Sequence, residues 1–208
     1  LEGHLKTGRK GLGRFTLEVE GRAAHAGLDP EKGINAIVEM SALVQQLYAL
    51  NDFERGITVN IGLIEGGISP NTIAPSSRVV VDVRVPTAKA GQEVETKIRQ
   101  LKPGTELVKL RIAGGFGRPP MEPTPRNQRL WTLAALSGKA LGLDLKQAAV
   151  GGGSDANTTS QFTATLDGLG TPGDGAHAPH EHIRTPALPE RTALLCMLLL
   201  LESLNEQK

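Results

Sequence analysis

A single cysteine, Cys196, excludes any disulfide framework within the chain and points to a reducing compartment, so a cytoplasmic setting is the expectation. Aromatic residues are nearly as scarce, at 3% of 208 residues, which leaves few platforms on which bases could stack. A formal net charge of +1 adds no global field to attract nucleic acid or an anionic membrane. Neither is an expected partner. The longest apolar run, ALLCMLLLL from Ala193 to Leu201, falls far short of the ~20 residues that a membrane span requires. It predicts a buried core helix, with Cys196 inert inside it. The chain lacks an initiating methionine and opens in LEGHLKTGRKG, which reads as the middle of a longer polypeptide.

What the first half has in abundance is period-two alternation, the signature of strands with one buried face. RFTLEVE predicts burial of Phe15, Leu17 and Val19; ITVNIGLI of Ile57, Val59, Ile61 and Leu63; SRVVVDVRV of Val79, Val81, Val83 and Val85; ELVKLRI of Val108, Leu110 and Ile112. A helical pattern (Ile34, Ile37, Val38, Ser41, Val44, Leu47, Tyr48) separates the first two runs, and Val94, Ile98 and Leu101 mark another helix between the last two. The order β-α-β-β-α-β predicts a ferredoxin-like domain over residues 11–115. Its sheet has two open edges, which invite pairing with a second copy. Pro86 is placed to protect one end, and the helix from Gly33 to Asn51 offers a side for packing.

From Gly114 the composition changes to GGFGRPPMEPTP, which predicts a linker. Residues 116–208 then predict alternating helices and strands: a helix from Asn127, a strand LKQAAV, a helix from Ser154, a strand TATL, and the final apolar helix. That alternation argues for a parallel α/β layer, whose ligands sit in loops after the strands. Two unusual loops occupy such places. One is GGGSDA, whose backbone N–H groups ahead of a helix would suit an anion. The other, GTPGDGAHAPHEHI, carries His177, His180 and His182, and of these His177 is the candidate metal ligand while the other two read as a solvated rim.

The motifs GRAAHAG, GGISPNTIAP followed by DVR, GRPP, GGGSDAN and LGTPGDGAH occur in one order along the chain. In them the chain resembles the zinc-dependent amidohydrolase and exopeptidase family of aminoacylases, acetylornithine deacetylases and glutamate carboxypeptidases, the M20-like metallopeptidases. The glutamate carboxypeptidase branch is the nearest. The resemblance implies a ferredoxin-like lid that dimerises, followed by the C-terminal part of a two-zinc α/β catalytic domain. It implies that His177 is a zinc ligand and that His25 reaches the partner subunit's active site to hydrogen-bond the tetrahedral intermediate. It also implies that Asn71 and Arg84 hold the substrate's carboxylate across the dimer, and that Arg118, Gly152, Gly153 and Ser154 make further substrate contacts. The implied substrate is a small peptide or N-acyl amino acid.

The residues themselves support part of this. With odd-numbered valines facing the core, Arg78, Asp82 and Arg84 emerge on the other face of their strand, where a guanidinium can grip a carboxylate with two parallel bonds. Other readings stand beside each assignment. His25 could cap or pack beside the turn GLDP, and Asn71 could simply shape SPNT. A two-zinc centre also needs further ligands and a general base. In the family an HxD motif and an EE pair supply them, and this chain contains neither. Hydrolysis by this polypeptide alone is not expected, nor is retention of zinc. The alternative is a non-catalytic dimerisation or binding module.

Overall fold

The computed structural model describes residues 3–201. In chain order the elements are β1 (Leu5–Arg9), β2 (Gly11–Glu20), α1 (Ala36–Tyr48), β3 (Thr58–Gly66), β4 (Ser76–Val85), α2 (Ala88–Arg99) and β5 (Lys109–Arg118). They continue as α3 (Pro125–Ala140), β6 (Gln147–Val150), α4 (Ala156–Thr159), β7 (Gly173–Asp174), β8 (His182–Ile183) and α5 (Leu188–Leu200). The chain divides into two compact units, one of residues 10–120 and one built from the residues before Lys10 and after Pro120.

In the first unit β2 to β5 form one antiparallel sheet in the order β3-β4-β2-β5, with α1 and α2 packed on one face. This is the ferredoxin-like arrangement. Alternation decides what is buried: Phe15, Leu17 and Val19 on β2 and Val79, Val81, Val83 and Val85 on β4 are closed to solvent. Each fully buried side chain of this size contributes roughly 1.5–3 kcal/mol of transfer free energy.

Four sequence expectations fail in this unit, each for a local reason. A bulge after Ile61 shifts the register so that Leu63 pairs with Val80 on the outer face, leaving it 61% exposed. In α1 the buried face is Ala36, Met40, Leu43 and Leu47, one position out of phase with the predicted stripe. The helix is apolar over a wide arc, and the Asn35 cap, accepting from the Ile37 and Val38 amides, sets where it starts. Ile37, Val38 and Tyr48 therefore lie exposed. The GGFG expected in a linker continues β5, since Gly114 adopts φ +94 where a Cβ would strike the Arg14 carbonyl. Finally, β4 lies inside the sheet, so Pro86 guards no edge.

In the second unit β1, which the alternation did not announce, pairs in parallel with β6. Its core is small: Leu5, Ala134 and Leu194 are fully buried, with Trp131, Leu145, Leu166, Leu169 and Leu198 packed around them. Buried Asn127 ties the unit together, donating to the Glu122 carbonyl and accepting from the Thr165 amide. TATL forms no strand; only Asp167 just after it bridges to Lys6. The final helix is not enclosed as expected. Leu199 and Leu200 are exposed, and so is Cys196, because only one side of α5 packs on the core.

Candidate functional site

The end of the sheet where β2 stops and β4 begins carries His25 and Asn71. Past Glu20 the chain stays tied to the segment before β4: the Gly21 amide donates to Pro75, the Ile73 amide to Ala24, and the Ala26 amide to Asn71. These bonds hold two exposed loops side by side, with His25 bridged to Thr72. The Gly27 amide donates to His25 Nδ1 at 3.1 Å. With Nδ1 accepting, the imidazole's N–H lies on Nε2. Ser69 Oγ donates to Asn71 Oδ1 at 2.5 Å, which leaves the Asn71 amide nitrogen as a second donor. Both side chains are exposed on loops that these bonds hold side by side.

Arg84 and Arg118 are elsewhere. The ladder sets both against Leu12, one on each side, at the far end of the sheet from Ser76. The eight residues between Ser76 and Arg84 span about 26 Å of strand. Arg84 Nε donates to Asp82 Oδ1 at 2.9 Å, which fixes its guanidinium on the outer face. Within one copy, therefore, the predicted lid residues form two groups rather than one.

In the second unit, two amides of the loop expected to suit an anion are already taken. α4 is a single turn, and the Ala156 amide already donates to Ser154 Oγ while the Ser154 amide donates to Asn157 Oδ1. The Ser154 hydroxyl in turn donates to Asp167 at 2.5 Å, and Gly152 gives its carbonyl to Arg9. Gly153 is half-buried beside them. Asp167 is the centre of this network, which sequence reasoning missed. It also takes Arg9 Nε at 2.6 Å and the Gly168 amide at 2.6 Å. Burial pushes its carboxyl upward, but the Ser154 hydroxyl, the Gly168 amide and Arg9 outweigh that, and it sits below the ordinary carboxylate range. No motif flags Asp167; its partners lie 13 and 158 positions away.

His177 is the only non-glycine residue among those described with positive φ, at 67°. Such conformations are uncommon outside glycine, and they gather at functional loops. Its side chain is exposed, and its amide donates to the Glu181 carboxylate. His180 and His182 are exposed too, and His182 pairs with Asp174 between β7 and β8. A neighbouring cavity of about 470 Å³ is lined by Lys6, Arg9, Asp174, Glu181 and His182, but not by His177. Burial, then the charge of Arg9, lowers the Lys6 ammonium's pKa. Among the described residues no three His, Cys, Asp or Glu side chains gather so as to hold a metal ion. The donor set present does not fit a zinc centre, which takes three or four protein ligands. No helix among the described residues is long and apolar enough to cross a membrane.

Residues 7–102 match the family described as the peptidase dimerisation domain. Carboxypeptidase G2 of Pseudomonas sp. (strain RS-16) is 28% identical over 206 residues, which is 94% of this chain and 48% of that protein. A Haemophilus influenzae homolog of a p-aminobenzoyl-glutamate hydrolase component is 25% identical over 45% of this chain and 22% of its own length. In fold, the aminopeptidase PepT of Bacillus cereus superposes with a TM-score of 0.85 at 20% identity, covering 94% of this chain and 53% of that one. The chain thus spans about half the length of carboxypeptidase G2 and of PepT.

Proposed function

Because the chain belongs to the M20-like metallopeptidase family, we propose that it supplies the lid and the C-terminal catalytic part of a hydrolase that cleaves an amide beside a free carboxylate. The substrate is an aminoacyl-glutamate or another N-acyl amino acid. The observation that carries this reading is that His25 and Asn71 sit on adjacent exposed loops, with His25 Nδ1 accepting from the Gly27 amide so that the ring N–H is on Nε2. An N–H donor in that setting stabilises the oxyanion of a tetrahedral intermediate. The ~26 Å of strand between the two lid groups means that one small substrate cannot touch both from the same copy. His25 and Asn71 therefore come from one subunit of a homodimer, and Arg84, with Arg118, from the other.

The dimer forms through the lid. β3 is an open edge; on it Leu63 and Ile64 are exposed, and so are Ile37, Val38 and Tyr48 on α1. Exposed apolar side chains together with an unpaired edge suit a second copy of the same surface. In the family's zinc centre His177 would be one ligand, and the donors among the described residues do not complete it. Gly152, Gly153 and Ser154 contribute by shape, since the serine hydroxyl is committed to Asp167.

The test joins this chain to a family N-terminal segment bearing the HxD and EE motifs and measures hydrolysis of an N-acyl glutamate. His25→Ala should lower turnover by roughly 10²- to 10³-fold. Mixing that variant with a His177→Ala chain should return part of the activity, because the intact histidine of one subunit meets the intact centre of the other. If subunits exchange and nothing returns, His25 does not act in trans. If the joined protein never hydrolyses the amide, the non-catalytic module becomes the better reading.

A further inference from the structure

β5 is the other open edge of the first unit's sheet, and the register tells which of its backbone groups face outward. The Gly21 amide donates to the Pro75 carbonyl, one step beyond the Glu20–Ser76 pair, so the odd-numbered residues of β2 bond to β4. In an antiparallel strand both backbone groups of a residue point the same way, and the direction alternates along the chain. Glu20, Glu18 and Thr16 therefore bond to β5, where they face Lys109, Arg111 and Ala113. Leu110, Ile112 and Gly114 turn their N–H and C=O groups away from the sheet. Arg99 Nη2 donates to the Gly114 carbonyl at 2.7 Å, which closes the edge beyond Ile112.

The two faces of this edge differ. Leu110 and Ile112 are half-buried and, with Leu101, Pro103 and Arg99, line a groove of about 420 Å³. On the other face Lys109 and Arg111 are exposed, and β5 carries no carboxylate of its own. On its β2 side the strand already has a neighbour that suits this pattern: Leu17 stands opposite Ile112, Glu18 opposite Arg111, Val19 opposite Leu110 and Glu20 opposite Lys109. Beyond β5 no strand sets a carboxylate against the two cations. A second copy paired through β5 would bring the same cations onto the same face, and like charges so placed are destabilising.

We infer that the β5 edge takes an extended acidic segment of a partner protein, added antiparallel, with apolar residues opposite Leu110 and Ile112 and carboxylates opposite Arg111 and Lys109. Main-chain bonds to the two outward-facing residues hold the segment, and alternate side chains select it: one set enters the groove, the other meets the cations. β3 and β5 are opposite edges of the sheet, so a dimer through β3 leaves this one open.

The test titrates the blocked peptide Thr-Leu-Glu-Val-Glu, the sequence of residues 16–20, into the chain as it is and follows backbone amides by NMR. The Leu110 and Ile112 amides should shift and gain protection from hydrogen exchange. A peptide with lysine in place of both glutamates should bind about tenfold more weakly, since two favourable cross-strand pairs become repulsive. Methylating the backbone nitrogens of the peptide's leucine and valine should abolish binding, because those N–H groups face the edge. Replacing Lys109 and Arg111, both exposed, by glutamate should reverse the preference between the two peptides. Equal binding of the methylated peptide means charge attraction without strand addition and overturns the inference. Shifts at Leu63 and Ile64 on β3 instead, or at neither edge, overturn it too. So does protection of Leu110 and Ile112 that rises with chain concentration in the absence of peptide, which would assign the edge to a second copy.

Discussion

The two units differ in how much of their apolar surface each can cover by itself. Residues 10–120 bury a continuous core between a four-stranded antiparallel sheet and two helices. The other unit has a two-stranded parallel sheet and, among the described residues, only a small buried set with Leu5, Met121, Ala134 and Leu194, while Leu199 and Leu200 on α5 are 75% and 85% exposed. An antiparallel sheet can leave one face to water; parallel strands are normally covered on both faces. Residues 10–120 thus cover their apolar surface by themselves, while the second unit leaves one side of α5 to solvent.

That contrast fails first if the wrong unit drives self-association. Val38→Asp puts a charge among the exposed apolar residues of α1 without touching its buried face. It should weaken the dimer about 10²-fold, the scale of losing a central interface residue, in sedimentation across a concentration series. Leu199→Asp on α5 should leave association unchanged. The reverse pattern would assign the interface to the second unit, and the proposed trans role of His25 would lose its geometry.

Much of the lid is legible in the sequence because strand alternation is a strong signal. The buried residues of β2 and β4 follow it without exception, and with the two helices it yields the ferredoxin-like order. Leu63 departs from it because a bulge reverses the faces, and a bulge leaves no period to read. The phase of α1 is hidden for a related reason: a helix apolar on two sides offers two stripes, and only its partners choose between them. His25 and Asn71 stand out through motifs, and only the fold brings them together at one end of the sheet, with Arg84 eight residues along β4 at the other. Asp167 is invisible in the sequence, since its network is assembled from three distant segments.

That network supplies a second, smaller contrast. Asp167 is ionised and bonded to Arg9, Ser154 and Gly168, with part of its carboxylate still reached by solvent. Its folded pKa is depressed, so its contribution is complete above the ordinary carboxylate range and lost as pH falls through the folded value. The second unit should therefore weaken in acid. Asp167→Asn should cost about 1–3 kcal/mol at neutral pH and flatten the acid dependence below the ordinary carboxylate range. Trp131, the only tryptophan, lies in this unit and reports on it by fluorescence during urea unfolding. An unaltered pH profile in the variant would mean that other carboxylates carry the acid sensitivity.

The smallest effects test whether the units are separate at all. Asn35 caps α1 in the lid, accepting from the Ile37 and Val38 amides at 3.0 and 3.3 Å. Thr124 caps α3 in the catalytic unit, accepting from the Asn127 amide at 3.3 Å. Replacing either by alanine leaves first-turn amides without their partner and costs about 1 kcal/mol. Each unit has a core of its own, so the loss should stay where it is made. Asn35→Ala should shift only the transition seen by the ultraviolet absorbance of Tyr48, the single tyrosine, and Thr124→Ala only that seen by Trp131. If either substitution moves both transitions equally, the two units unfold as one cooperative block, and residues 10–120 owe part of their stability to the second unit.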